Sequence, residues 1–177
     1  MIWRRLDMPG HDACRLVETT SGWKIAGTAV FRDRSGPAAL AYHVEGDAGW
    51  RTREAWVRGW IGEQSIEVAI VRQGDAWHLN GVPVSGLEDC IDVDLGFTPA
   101  TNLIPIRRLA LVVGGAAGAP AAWLDIATRH LERLEQRYER RGETAYWYEA
   151  PAFGYAAELE VGPDGFVRRY PGLWEAE

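Results

Sequence analysis

Hydrophobic and polar residues alternate with a period of two along most of this chain, the pattern of strands with one buried face. In residues 23–31, Trp23, Ile25, Gly27, Ala29 and Phe31 share a side. In residues 37–44, Leu40, Tyr42 and Val44 oppose Ala39, Ala41 and His43. Residues 64–72 align Ile66, Val68 and Ile70, and residues 155–161 set Tyr155, Ala157, Leu159 and Val161 against Ala156, Glu158 and Glu160. Short polar turns separate these runs: Ser21-Gly22, Asp33 to Gly36, Gly46 to Gly49, Gln73 to Asp75 and Gly162 to Gly165. Asn80-Gly81 between two short apolar runs is a strong hairpin signal. The spacing predicts an all-β meander. Residues 50–61 are less clean, because Trp50, Thr52, Glu54, Trp56, Arg58 and Trp60 fall together as one aromatic and charged face. Such a face reads as the wall of a wet cavity.

Two stretches depart from simple hairpins. Residues 121–141 lean towards helix by propensity, with Leu131, Leu134 and Tyr138 at helical spacing and opposite charges three or four apart. Residues 90–114 sit at the centre of the pattern. Ile91, Val93 and Leu95 alternate with Asp92 and Asp94, a turn-rich link runs from Gly96 to Pro105, and a second strand is expected from Arg107 through the apolar residues 109–113. Two carboxylates and two guanidinium groups thus flank Asn102 in an otherwise apolar sheet.

Composition narrows the picture. With 177 residues, 47% hydrophobic and 25% charged, one globular domain over 1–177 is expected. The net charge of −6 and the scattered arginines exclude a nucleic-acid footprint and give no electrostatic handle on anionic lipid. Nothing approaches the length of a membrane span, and MIWRRLDMPG lacks the apolar core of a secretory signal, so a cytoplasmic protein is expected. Cys14 and Cys90 have no metal-ligand spacing and read as buried free thiols. No cofactor or metal site is expected. GGAAGAP, residues 114–120, lacks the Lys and Ser/Thr of a phosphate loop.

The nine Trp are the unusual number. Trp50, Trp56, Trp60, Trp77, Trp147 and Tyr42 either fill a core or line a groove where amphipathic rings meet a ligand. Asp92, Asp94, Arg107 and Arg108 form either an internal ion-pair network or a site in which an arginine captures an anionic or hydroxyl-bearing group. His43 and Glu45 share a strand face and could form an acid–base pair, but no nucleophile motif accompanies them.

The central DVDLGFTPATNLIPIRRL closely resembles the signature of a bacterial family described as "putative glycolipid-binding". Cys14-Arg15-Leu16, Gly22-Trp23, the run from Trp50 to Arg53, Trp77 with Asn80-Gly81, and the end from Tyr170 to Trp174 resemble it in the same order. The resemblance implies a mainly β fold with few short helices. Its antiparallel curved sheet, or open split barrel, would surround an elongated cavity, similar to that of periplasmic lipoprotein carriers. It also implies that Gln136-x-Tyr138-x-Arg140 lies on a strand, which overrides propensity over residues 132–140. Residues 128–133 are more charged than the family pattern and leave room for a short helix.

The resulting expectation is a non-catalytic protein that holds a lipid or glycolipid through Asp92, Asp94, Asn102, Arg107, Arg108, Trp56, Arg58, Trp60 and Tyr42. Two alternatives remain open. One is a hydrolase or isomerase acting on an apolar substrate through Asp92, Asp94 or His43. The other is a structural or interaction module with a free sheet edge. The sequence leaves the oligomeric state undefined.

Overall fold

Each polar turn read from the sequence reverses the chain between antiparallel neighbours. The computed structural model describes residues 1–177. Its first arm comprises β1 (Ile2–Arg5), β2 (Gly10–Thr19), β3 (Gly22–Asp33), β4 (Gly36–Asp47), β5 (Thr52–Ile61), β6 (Gln64–Gln73), β7 (Ala76–Leu79) and β8 (Val82–Val84). Asn80 and Gly81 both take left-handed φ, 51° and 81°, and so close the β7–β8 hairpin tightly. A central segment follows: β9 (Asp92–Leu95), a 3-10 turn (Ala100–Asn102) and helix α1 (Leu103–Leu109). The second arm holds β10 (Ala116–Gly118), β11 (Ala121–Asp125), β12 (His130–Leu134), β13 (Arg137–Arg140), β14 (Ala145–Ala150), β15 (Tyr155–Val161), β16 (Val167–Tyr170) and β17 (Trp174–Ala176). A second 3-10 turn, Pro151–Phe153, separates β14 from β15.

Fourteen strands form one open antiparallel sheet in the order β10-β13-β14-β15-β16-β17-β1-β2-β3-β4-β5-β6-β7-β8. It does not close into a barrel. A small sheet, β12-β11-β9, joins β9 and β11 in parallel. This is the mainly β, open curved architecture expected. The buried faces of both arms and the central segment share one core. Trp3 and Trp77 are fully buried, and their indole N–H groups donate to Val167 O at 2.6 Å and Cys90 O at 3.1 Å. Burial of such rings needs that polar partner, since an unpaired donor costs ~1–3 kcal/mol. Cys14 and Cys90 are buried free thiols.

Three local expectations need correction. Residues 103–109 are helix, so Arg107 and Arg108 lie in its last turn and not at a strand mouth. Pro105 sits in the first turn, where it costs no hydrogen bond, and Leu103, Ile104 and Ile106 face the core. Residues 110–113 are not a buried strand: Val112 and Val113 are 73% and 57% exposed. In β5 the register shifts opposite Glu45/Gly46, which pair with Glu54 and Thr52. The extra residue, Arg53, breaks the alternation. Thr52 therefore turns inward with Ala55 and Val57 and accepts the Val93 amide at 3.1 Å, while Trp56, Arg58 and Trp60 stay outside.

Residues 132–140 are strand, as the family pattern implied, but in two pieces. β12 pairs with β11, and β13 pairs with β14 and β10. No helix forms over residues 121–141. Across the turn after β11, the Arg129 amide donates to Asp125 O at 2.7 Å and Thr128 to the Asp125 carboxylate at 2.8 Å. These bonds replace the helical ladder.

Candidate functional site

Between the second arm and the central segment lies a cavity of about 240 Å³. Strand β9 and the link after it supply Asp94, Gly96, Thr98 and Asn102. The aromatic walls come from the other arm: Trp123 of β11, Tyr148 of β14, Phe153 of the second 3-10 turn, Tyr170 of β16 and Trp174 of β17. Period-two alternation aims these rings. In β14, Tyr146, Tyr148 and Ala150 point inward and Trp147 outward. Trp123 meets Phe153 edge-on with centroids 5.1 Å apart, and Tyr148 meets Tyr170 edge-on at 5.6 Å. Phe153 is 55% exposed and stands at the rim. Gly96 leaves room for Trp123, since a Cβ there would run into the indole Nε1.

The polar groups are few. Gln136, in the break between β12 and β13, donates its side-chain amide to Asp94 Oδ2. Asn102 Nδ2 donates to the Tyr138 hydroxyl at 2.8 Å. Asp94 Oδ1 and the Asn102 side-chain oxygen receive no hydrogen bond from the protein. Burial pushes the Asp94 carboxyl up to about 6, against the Gln136 bond, and the nearby Asp92 charge adds to the rise. The Asp94 charge in turn helps keep Tyr138, Tyr148 and Tyr170 protonated, after burial itself.

Behind Thr98 lies a fully buried carboxylate, Asp12 of β2. It accepts from Tyr42 Oη at 2.8 Å and from the Thr98 hydroxyl, and its Oδ1 is fully enclosed without a partner. Burial lifts it to about 6, opposed by those two bonds. Tyr42 packs over Gly27, where any Cβ would collide with its ring.

The residues expected from sequence are spread over several places. Asp94 and Asn102 meet at the cavity. Asp92 is 1% exposed and forms a bidentate ion pair with Arg108, at 2.8 and 2.6 Å. This pair bolts α1 to β9. Arg107 donates to Asp164 O at 2.7 Å and lies over the Trp50 ring at 5.5 Å. Tyr42 lies inside, beside Asp12. Trp56, Arg58 and Trp60 are on the outer face, where Arg58 covers Trp56 at 5.4 Å. His43 is there too, stacked on Trp56 at 5.5 Å and bonded to Glu45 at 2.6 Å, with Lys24 on the same carboxylate at 2.7 Å. That is a surface ion network.

Of the rings flagged in the sequence, Trp77 is core, Trp50 stacks on Trp23 at 5.1 Å, and Trp147 is outside. The cavity's own rings, with Asp12 and Gln136, are not among the site residues that the sequence points to. Alternation within β14 turns Tyr148 inward but does not tell cavity from core, and β16 buries Val167 and Tyr170 without alternating. No helix is long and apolar enough to cross a membrane, and no group of three or more His, Cys, Asp or Glu is placed to hold a metal ion.

Comparison with known proteins places this geometry. No curated protein matches the chain. A solved structure similar to it is that of a DUF1089 family protein from Pseudomonas aeruginosa, determined at 1.80 Å resolution. The two share 27% identity with a TM-score of 0.82, over 94% of this chain and 92% of the other. The model of the family described as "Putative glycolipid-binding" matches residues 1–176. With that match spanning its fold from β1 to β17, the chain belongs to this family.

Proposed function

We propose that the protein binds the polar head of an amphipathic, sugar-bearing lipid in the cavity between the second arm and β9. The observation that carries this reading is the lining. Five aromatic rings surround an Asp94 oxygen and an Asn102 oxygen that have no partner in the protein. Sugar rings present apolar C–H faces and outward hydroxyl donors, which such walls and acceptors complement. At about 240 Å³ the space suits one ring and not a whole glycolipid. The lipid chain would leave over the exposed rim residue Phe153.

An enzymatic reading draws on the raised carboxyl of Asp94. Glycoside hydrolysis ordinarily needs two carboxylates flanking the bond, whereas Asp94 alone lines this cavity and Asp12 is enclosed behind Thr98. Binding without turnover is therefore the better reading.

Titration of octyl β-glucoside, below its micellar concentration, should quench or shift the tryptophan fluorescence. Gly96→Ala, which pushes Trp123 into the cavity, should weaken binding by about tenfold or more while leaving the fold intact. No binding by the wild type, or equal binding by the variant, would reject this site.

A further inference from the structure

The charge character of the cavity selects among head groups. Its lining contains one charged side chain, Asp94, and no Lys, Arg or His. The arginines expected to hold an anion are engaged elsewhere: Arg108 by Asp92, and Arg107 by Asp164 O and the Trp50 ring. The two unpartnered oxygens, on Asp94 and Asn102, are both acceptors. Neither can be satisfied by another acceptor, so a phosphate or carboxylate head would meet repulsion at the cavity floor. The aromatic faces of Tyr148, Tyr170 and Trp123 carry negative quadrupole charge and attract cations, more strongly where water is excluded. The indole N–H groups of Trp123 and Trp174 have no partner in the protein either, and they supply neutral donors for hydroxyl oxygens. A ring that carries an ammonium together with hydroxyls would use all of these groups.

Resting on the proposed glycolipid reading, we infer that the cavity is built for an ammonium-bearing head group, with the N–H donors of an amino sugar on Asp94 and Asn102 and the aromatic rings around it. Charge-assisted hydrogen bonds are stronger than neutral ones and add to the cation–π contribution. Acceptors at the floor favour an ammonium with N–H groups over a fully methylated one.

The test uses ligands that share an octyl tail and differ in the head: octyl β-glucoside, octyl 2-amino-2-deoxy-β-glucoside, octyltrimethylammonium and octyl phosphate. Calorimetry at about pH 7 should rank the amino-glucoside about tenfold tighter than the glucoside. Octyl phosphate should bind weakest. Tighter binding of the amino-glucoside than of both the glucoside and octyltrimethylammonium supports the assignment, whereas tighter binding of octyltrimethylammonium than of the amino-glucoside overturns the amino-sugar head.

Asp94→Asn keeps an acceptor for Gln136 and removes the charge. It should bring the ratio of amino-glucoside to glucoside affinity to within about twofold. The wild-type ratio should also shrink at pH 5, where the carboxyl takes up a proton. Equal or better binding of the glucoside or the phosphate, or a ratio untouched by both Asp94→Asn and pH 5, would overturn the ammonium assignment and leave the glycolipid reading standing. Failure of every octyl ligand to bind would remove both.

Discussion

Asp92 and Asp94, two residues apart on β9, illustrate how one environment assigns two duties. Asp92 meets a guanidinium at hydrogen-bond distance on both oxygens, whereas Asp94 meets one side-chain amide and keeps an oxygen free. Removing one partner of the buried pair leaves an uncompensated charge. Arg108→Met should therefore cost about 3–5 kcal/mol in urea unfolding. Asp92→Leu combined with Arg108→Met should recover most of that loss, because the pair's attraction is largely cancelled by its desolvation. A double variant as unstable as the single would show that the pair contributes specific bonding beyond charge balance. Tyr138→Phe should cost about 1–3 kcal/mol, since it strands the buried Asn102 amide.

Among the elements, the hairpins were legible and the centre was not. Alternation and turn chemistry are local properties, so β3, β4, β6, β7, β8 and β15 could be read from consecutive residues. The Arg53 bulge inverts the alternation within a single strand, and only the partner strand shows where the shift occurs. Helix α1 has seven residues, too few for a clear helical period, and its apolar run reads equally as a buried strand. What makes it helical is tertiary: Leu103, Ile104 and Ile106 enter the core, and Arg108 finds Asp92 across the fold. Propensity alone errs the other way over residues 121–141, where pairing with β9 and β14 overrides good helix formers and the family pattern reads the strand over 132–140.

The site suffered most, because its walls come from elements up to 80 positions from Asp94, as with Trp174. Asp94 and Asn102 sit in one motif, so the sequence brings these two cavity-lining residues together; the rings carry no such mark, because nothing local distinguishes a tyrosine facing a cavity from one facing a core. Thr52 carries a test at this scale. Thr52→Val removes the acceptor of the Val93 amide, and should cost about 1–3 kcal/mol and speed hydrogen exchange in β9.

Across the whole molecule, Asp12 and Asp94 make stability depend on pH in an uncommon direction. Both carboxyls are raised in the folded state, to about 6, chiefly by burial. The folded chain therefore binds more protons than the unfolded one between about pH 4 and 6. Their contribution is most favourable below the unfolded value and is lost as pH rises through about 6, on the order of 2–3 kcal/mol for each group. Glu45 acts in the opposite sense, held low by its bond from Lys24, but it is a surface group of small weight. The urea midpoint should accordingly be higher at pH 5 than at pH 7.5, and Asp12→Asn should reduce the difference. A midpoint that falls steadily on acidification would contradict this account.

The strand order places β17 beside β1, so that Trp3 faces Ala176 and Arg5 faces Trp174. Six strands lie on one side of that seam and eight on the other. Every other junction in the large sheet joins strands closer together in the chain, whereas this one joins the first strand of the fold to the last. During synthesis β2 to β8 can zip as successive hairpins, but β1 must wait with one edge open until β17 emerges. Until β17 is in place the two arms are not joined edge to edge, and the edge of β1 that the seam covers is open to misassociation.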